Sequence, residues 1–243
     1  MKPIVIVIGG PTASGKSKLG VELAKRINGE IVSADSMQIY KDMNIGTAKI
    51  TNEEMEGINH YMLDFLSPEK KYSVSEYKKD AEEAIEKIIK KGKTPIIVGG
   101  TGLYIDSLIY GIEFSHEEID ETYREELNKI ADDGNLDTLY KQALEIDPIA
   151  MEKISPNDKK RIIRVLEIYH KTGMTKTQQD IKSREKEVKY NYKVFAIDMN
   201  REVLYDRINK RVDLMLESGL IEEVESLTKK YKNIQTAKIP MQH

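Results

Sequence analysis

Eight consecutive residues, Gly10, Pro11, Thr12, Ala13, Ser14, Gly15, Lys16 and Ser17, fit the pattern G-x-x-x-x-G-K-[ST] in full. Each residue type has a physical task there. Glycines let backbone N–H groups turn inward around an anion, and a helix opening at Lys16 adds the partial positive charge of its N-terminus. Lys16 would reach the outer oxygens of a bound diphosphate, and the Ser17 hydroxyl would be offered to a magnesium ion held between protein and diphosphate. The ordinary alternative is a glycine-rich strand-to-helix turn without a ligand. The flanks, a strand-like run before and a helical pattern after, favour phosphate binding.

A second set of reactive types lies in Ser33-Ala34-Asp35-Ser36-Met37-Gln38-Ile39-Tyr40. A carboxylate at the carboxyl edge of a strand, in the crevice where open α/β sheets bind ligands, is well placed to act as a general base. Capping a turn, or an indirect contact to magnesium, remains open for Asp35. A motor or switch NTPase would carry another buried strand ending in an aspartate, whereas the run Pro95 to Val98 ends in Gly99-Gly100-Thr101-Gly102. The Thr101 hydroxyl would either point into the same crevice or cap the next helix. Arg207 and Arg211 stand four apart on one helix face, where pairing with Asp206 or Glu202 is the bland alternative.

The elements that must position these residues are legible from periodicity. Ile4 to Ile8 reads as a strand buried on both faces of a parallel sheet. From Lys16, Leu19, Leu23, Ala24 and Ile27 recur at helical spacing until Asn28-Gly29, and Glu30 to Ala34 forms a second strand that delivers Asp35. Ser73-Val-Ser-Glu76 is a capping box that opens a helix with Tyr77, Ala81, Ala84, Ile85, Ile88 and Ile89 on its apolar face, closed at Lys91-Gly92. The strand of Pro95 to Val98 follows. This alternation predicts an α/β fold, a P-loop NTPase-like parallel sheet flanked by helices.

Residues 111–190 change character to charged helices with no convincing strand, which predicts an inserted α-helical subdomain between core segments 1–110 and 191–243. Ser155-Pro156 reads there as the cap and first position of a helix carrying Ile162, Ile163, Leu166 and Tyr169. Val194 to Asp198 returns to strand character. A helix from Arg201 to Ser218 would turn Leu204, Ile208, Met215 and Leu216 inward.

Composition narrows the class. Apolar residues at 40% and charged residues at 33% support a packed core and argue against wholesale disorder. The absence of cysteine excludes disulfides, a thiolate zinc site and a cysteine nucleophile, and suits a cytoplasmic location. Nothing near the start is long enough for a membrane span or reads as a signal peptide, and a monomer without membrane attachment is expected. A net charge of −3 exerts no general pull on nucleic acid, so any RNA contact must come from local basic clusters.

Several blocks together resemble the tRNA dimethylallyltransferases, also called tRNA isopentenyltransferases. They are Gly10 to Ser17, Asp35-Ser-Met-Gln-Ile-Tyr40, Asn44-Ile-Gly-Thr-Ala-Lys49, His60-Tyr-Met-Leu-Asp64, Tyr72-Ser-Val, Val98-Gly-Gly-Thr-Gly-Leu-Tyr104, Asn157-Asp158 to Arg164, and Arg207 to Gly219. They occur in family order along nearly the whole chain. The resemblance implies that the loop holds the diphosphate of dimethylallyl diphosphate rather than a nucleoside triphosphate, with Mg2+ at Ser17. It implies transfer to N6 of the adenosine 3′-adjacent to the anticodon in tRNA. Asp35 is then the base, and Lys16, Thr101, Arg207 and Arg211 attend the reacting groups.

The same resemblance marks Asp35, Ser36, Met37, Gln38 and Thr101 as neighbours of an extracted base, with Gln38 reading a base edge. It marks Arg124, Lys160, Arg161 and Arg164 in the helical insertion as contacts to tRNA. Lys182, Arg184, Lys186 and Lys189 form a further basic stretch that could follow phosphates, although such runs are commonly solvated helix faces. Two departures stand out. Lys160 replaces an expected glutamine, exchanging a base-edge contact for a phosphate contact, and the chain ends at Pro240-Met-Gln-His243 where the family continues with a Gly-Tyr-Lys-like segment and basic helices. The rival readings are a small-molecule P-loop kinase, which would be ATP-binding, an adenylate isopentenyltransferase acting on a free nucleotide, and a non-enzymatic RNA-binding module with a vestigial nucleotide loop, against which intact Lys16, Ser17 and Asp35 argue.

Overall fold

A computed structural model of the chain describes residues 2–114, 120–185, 187–232 and 234; Lys186 and Pro240-Met-Gln-His243 lie outside them. The chain divides into two compact units, one from the described residues of Met1–Tyr110 and Val188–His243, the other from those of Gly111–Glu187. The return to the first unit therefore comes three residues before the expected Asn191. Lys189 pairs with Glu82 at 2.6 Å, and Tyr190 is buried against the cluster that holds Ile85 and Ile88.

The first unit begins with β1 (Ile4–Gly9), α1 (Lys16–Ile27), β2 (Gly29–Ala34), the short α2 (Asn52–Met55) and β3 (His60–Tyr61). It continues through α3 (Val74–Lys90), β4 (Thr94–Gly99) and α4 (Gly102–Ile109). The second unit holds α5 (Glu121–Ile130), α6 (Leu136–Ile146), α7 (Pro148–Met151), α8 (Lys159–Thr172) and α9 (Lys176–Lys182). The chain then re-enters the first unit as β5 (Asn191–Ala196), α10 (Arg201–Glu217) and α11 (Leu220–Lys230).

The five strands form one parallel sheet in the order β3-β2-β4-β1-β5. Alternation along β1 sends Val5 and Val7 to one face, where they meet Tyr77, Ala81, Ile85 and Ile88 of α3 and Leu108 of α4. Ile8 goes to the other face with Ile31, Ile96 and Val98, covered by Val21 and Ala24 of α1. Helices on both faces make the sheet doubly wound, as the alternation of elements predicts. Each fully buried large aliphatic side chain contributes about 1.5–3 kcal/mol, so these two layers dominate the stability of the unit.

Three expectations about which residues face inward need correction. On α1 the buried face is Gly20, Val21 and Ala24, whereas Leu19 is 47% exposed. Glycine at position 20 brings the helix so close to β4 that an added Cβ would lie 2.7 Å from Val98 Cγ2, which rotates the contact face away from Leu19. On α10 the stripe of Leu204, Ile208 and Met215 is half-buried, but Leu216 is exposed because it falls one residue off that stripe.

In the second unit α8 starts at Lys159 rather than at Pro156, because the Asp158 carboxylate accepts the Arg161 N–H and caps the helix. Ser155 instead closes a turn onto Asn157. Ile162, Ile163 and Leu166 are buried as expected, while Tyr169 is exposed. The core of this unit joins them to Leu127, Leu139, Ala143 and Met151. Buried Asp147 ties α7 to α9, accepting from Ala150 N, Thr177 N and Thr177 Oγ1. No helix among the described residues is long and apolar enough to cross a membrane.

Candidate active site

Strand register decides where the reactive side chains gather. Gly9 of β1 stands opposite Gly99 of β4, and Gly99 in turn opposite Ala34 of β2. The residues that follow, the loop of Gly10 to Ser17, Asp35 and Thr101, therefore leave the sheet side by side at its carboxyl edge, where open parallel sheets bind ligands. Glycine is required at the centre of this row. A Cβ on Gly99 would sit 2.1 Å from the carbonyl oxygen of Ala34, a backbone atom that cannot swing away.

On the loop side, Gly15 takes the left-handed conformation with φ 89° and turns the chain into α1. Ser14 is 6% exposed, and its Oγ has no hydrogen-bond partner among the described residues. A buried hydroxyl without a partner is costly, and an anion seated in the loop would satisfy it. Lys16 curls over its own loop, with Nζ donating to the Pro11 carbonyl at 2.5 Å and lying close to Gly100. Burial pushes the Lys16 pKa down and Arg211 pushes the same way, while Asp35 opposes them. Ser17 is exposed at the first turn of α1.

On the facing side, Asp35 Oδ1 accepts from Met37 N at 2.9 Å and Gln38 N at 3.3 Å. Its second oxygen has no hydrogen bond among the described residues. The capping role left open by the sequence is thus observed, and the carboxylate still presents an oxygen without a hydrogen bond among the described residues. Thr101 is the N-cap residue of α4, yet its hydroxyl makes no cap bond. Oγ1 instead accepts from Ser36 N at 3.0 Å and lies 3.3 Å from Ser36 Oγ, while Thr101 N donates to Ala34 O. Behind the row, Tyr77 of α3 donates from its hydroxyl to Ser33 O at 3.1 Å, fixing the end of β2.

Arg211 reaches this group from α10. Burial lowers its pKa, and Asp35 is the leading opposing charge. Lys16, Asp35 and Arg211 thus lie within electrostatic reach of one another, two cations and a carboxylate at one sheet edge. Arg207, one turn earlier, is exposed and has no ion-pair partner among the described residues. Gln38 Nε2 donates to Thr47 O and Ala48 O, so both its donors serve the loop and only Oε1 is left to meet a base edge.

The residues singled out in the helical unit behave differently from one another. Arg124 pairs with Glu167 through Nε and through Nη2, the latter at 3.0 Å, and Arg164 Nη1 meets the same carboxylate at 3.3 Å. Glu167 is 8% exposed, so these arginines are tied to a buried acid. Lys160 is exposed without a partner among the described residues, and Arg161 is paired there only with Asp158, the cap of its own helix. The sequence reading missed Glu223 of α11, which accepts from the backbone N–H groups of Asn44, Ile45 and Gly46. Nothing local announces such a contact, because its partners lie 177 or more positions away.

Known proteins share this arrangement of sequence and fold. The family model described as IPP transferase matches residues 38–242. A tRNA dimethylallyltransferase of Oceanobacillus iheyensis is 47% identical over 237 residues, which cover 97% of this chain and 75% of that protein. The crystal structure of the full-length tRNA isopentenylpyrophosphate transferase from Bacillus halodurans aligns with a TM-score of 0.67 at 40% identity, over 98% of this chain and 74% of the other. A eukaryotic dimethylallyltransferase, captured in crystallographic snapshots acting on tRNA, aligns with a TM-score of 0.74 at 33% identity, over 96% of this chain and 57% of the other.

Proposed function

The chain belongs to the IPP transferase family, and from that premise we infer its function: it is an enzyme that prenylates tRNA, transferring a dimethylallyl group. In the proposed reaction the donor is dimethylallyl diphosphate and the acceptor is N6 of the adenosine 3′-adjacent to the anticodon. The observation that carries the assignment of roles is that the loop with Lys16 and the residue Asp35 leave the sheet side by side at its carboxyl edge, with Arg211 of α10 in electrostatic reach of both.

An aromatic exocyclic amine is a weak nucleophile, so its proton must leave as the new bond forms. The uncommitted oxygen of Asp35 takes that proton. The N6–C1 bond forms as the bond from C1 to the diphosphate oxygen breaks, and the electron pair departs with diphosphate. Lys16, Arg211 and the loop N–H groups stabilise the charge that collects there, an effect commonly worth about 3–4 kcal/mol for a single donor. Thr101 holds Ser36 and so keeps the base-binding turn against the donor. Buried Ser14 Oγ supports the fit of an anion to the loop.

The donor set also fits a divalent ion of the magnesium type. No group of three metal-binding side chains occurs among the described residues. The Ser17 hydroxyl would hold the ion, with the remaining ligands drawn from diphosphate and water, which is how Mg2+ commonly sits in phosphate sites. Such an ion would neutralise charge on the leaving diphosphate. For RNA, exposed Lys160 and Arg161 are the better supported contacts in the helical unit, and Arg124 and Arg164 would act by shaping that surface through Glu167.

The test uses labelled dimethylallyl diphosphate, Mg2+ and unmodified tRNA, with free AMP and an ATP-dependent kinase assay in parallel. Label in tRNA is the expected result. Label in AMP alone, or phosphoryl transfer from ATP alone, would replace this reading with one of its rivals.

A further inference from the structure

Glu223 lies on α11, outside every motif that marks the site, yet its carboxylate closes a backbone anion nest. Oε2 accepts from Asn44 N and Ile45 N, both at 2.8 Å, and Oε1 accepts from Gly46 N at 3.0 Å. Three consecutive N–H groups converging on one anion form a concavity that strongly favours negative charge. The turn so fixed is closed from within as well. Thr47 Oγ1 donates to Met43 O at 2.6 Å, and Lys49 N donates to Asn44 O at 2.9 Å.

This turn is wired to Asp35. The carbonyl groups of Thr47 and Ala48 accept from Gln38 Nε2 at 3.1 and 3.2 Å, and Gln38 N donates to Asp35 Oδ1. Two further contacts hold α11 on the same segment. Leu227 is buried with Ile39, Tyr40 and Met43, and Asp42 accepts from Lys230 Nζ at 2.6 Å and from the Tyr231 hydroxyl.

We propose that Glu223 is a positioning residue for prenyl transfer: by filling the nest at residues 44–46 it holds Gln38, and through Gln38 the orientation of the Asp35 carboxylate. The assignment rests on the function proposed above and deepens it, because it gives α11 a role in the acceptor half of the reaction alone. Among the described residues the loop of Gly10 to Ser17 has no hydrogen bond to this turn, so donor binding is not expected to depend on it.

Steady-state transfer to tRNA by the full chain tests the proposal, with Glu223→Ala and Glu223→Gln measured beside the wild type. A misplacement on the order of 1 Å costs about 100-fold in such reactions, so Glu223→Ala is expected to lose about 10- to 100-fold in kcat/KM for tRNA. The KM for dimethylallyl diphosphate should stay within about twofold. Glu223→Gln keeps one acceptor oxygen and should fall between the two. Acetate can occupy the emptied nest, so it should restore part of the Glu223→Ala rate while leaving the wild type unchanged.

Wild-type kcat/KM in Glu223→Ala, or an equal loss in donor KM, would overturn the proposal. So would a loss that acetate does not touch and that a lowered melting temperature explains. Should Glu223→Ala fail to fold, Glu223→Gln carries the same comparison. No transfer by the wild type would instead bring down the parent reading, which separates the two failures.

Discussion

The hydrogen bonds that shape residues Gly10 to Ser17 are local, Lys16 Nζ to Pro11 O and Leu19 N to Gly15 O, whereas the segment from Asp35 to Lys49 is held in place by Glu223, Leu227 and Lys230, 177 or more positions away for the two charged residues. The two halves of the site answer different physical demands. An anion cradle can be made from backbone N–H groups and a helix end, which a short contiguous stretch supplies. The proposed pocket for an extracted base would have to hold a carboxylate at one angle beside a mobile polymer, and the contacts from α11 would supply that stiffness. Damage to one half should therefore leave the other measurable.

The strongest way to break the comparison is from the donor half. Lys16→Ala removes a half-buried cation next to Asp35 and Arg211. It should lower kcat by about 100- to 1,000-fold, the usual cost of a lost donor at developing negative charge, while tRNA affinity measured without donor stays near the wild-type value. Equal losses in tRNA affinity would join the two halves that the geometry separates.

A second carboxylate on β2 sharpens the contrast. Glu30, at the opposite end of the strand from Asp35, is 1% exposed and accepts from Lys93, Asn59, Tyr61 and Lys91. Burial pushes its pKa up, but these hydrogen bonds outweigh burial and bring it to about 2 from an ordinary 4.5. A carboxyl depressed in the folded state stabilises the fold above its unfolded pKa and loses that contribution as the pH falls toward the folded value. The window is therefore about pH 4.5 to 2, and up to about 3 kcal/mol is at stake. Thermal melting from pH 6 to 3 should fall more steeply for the wild type than for Glu30→Gln; parallel curves would show that the cluster carries no such linkage.

The smallest effect is expected at the far end of the α11 contact. Asp42→Asn breaks an exposed pair while keeping a residue that tolerates the left-handed backbone there, so stability should change little. The KM for tRNA should rise about two- to threefold, with no change for the donor. A larger effect on the donor than on tRNA would place this contact in the wrong half.

The same division explains what could be read from sequence. The phosphate loop, the capping box at Ser73 and the alternation of strands are local patterns, and the structure carries them at those residues. Register then did the rest, because aligning Gly9, Gly99 and Ala34 automatically brings Asp35 and Thr101 beside the loop. Helix faces were less legible. Leu19 loses the contact face to Gly20, whose missing side chain permits closer approach, and no count of apolar spacing weights a glycine that way. Ser155-Pro156 carries a valid helix-start signal, yet Asp158 provides the stronger cap three residues later. Glu223 was invisible for a different reason, since a glutamate on a charged helix looks like surface until the fold brings three N–H groups to meet it.

An Asp35 oxygen without a hydrogen bond among the described residues, with Lys16 and Arg211 in electrostatic reach of the carboxylate, makes a single decisive demand. Asp35→Asn keeps the shape of the side chain and its capping oxygen but cannot take a proton. Single-turnover transfer to tRNA at saturating dimethylallyl diphosphate should slow by about 100- to 10,000-fold, with the donor still bound at near wild-type affinity. A variant that transfers at the wild-type single-turnover rate would show that the proton leaves by another route and would contradict the account.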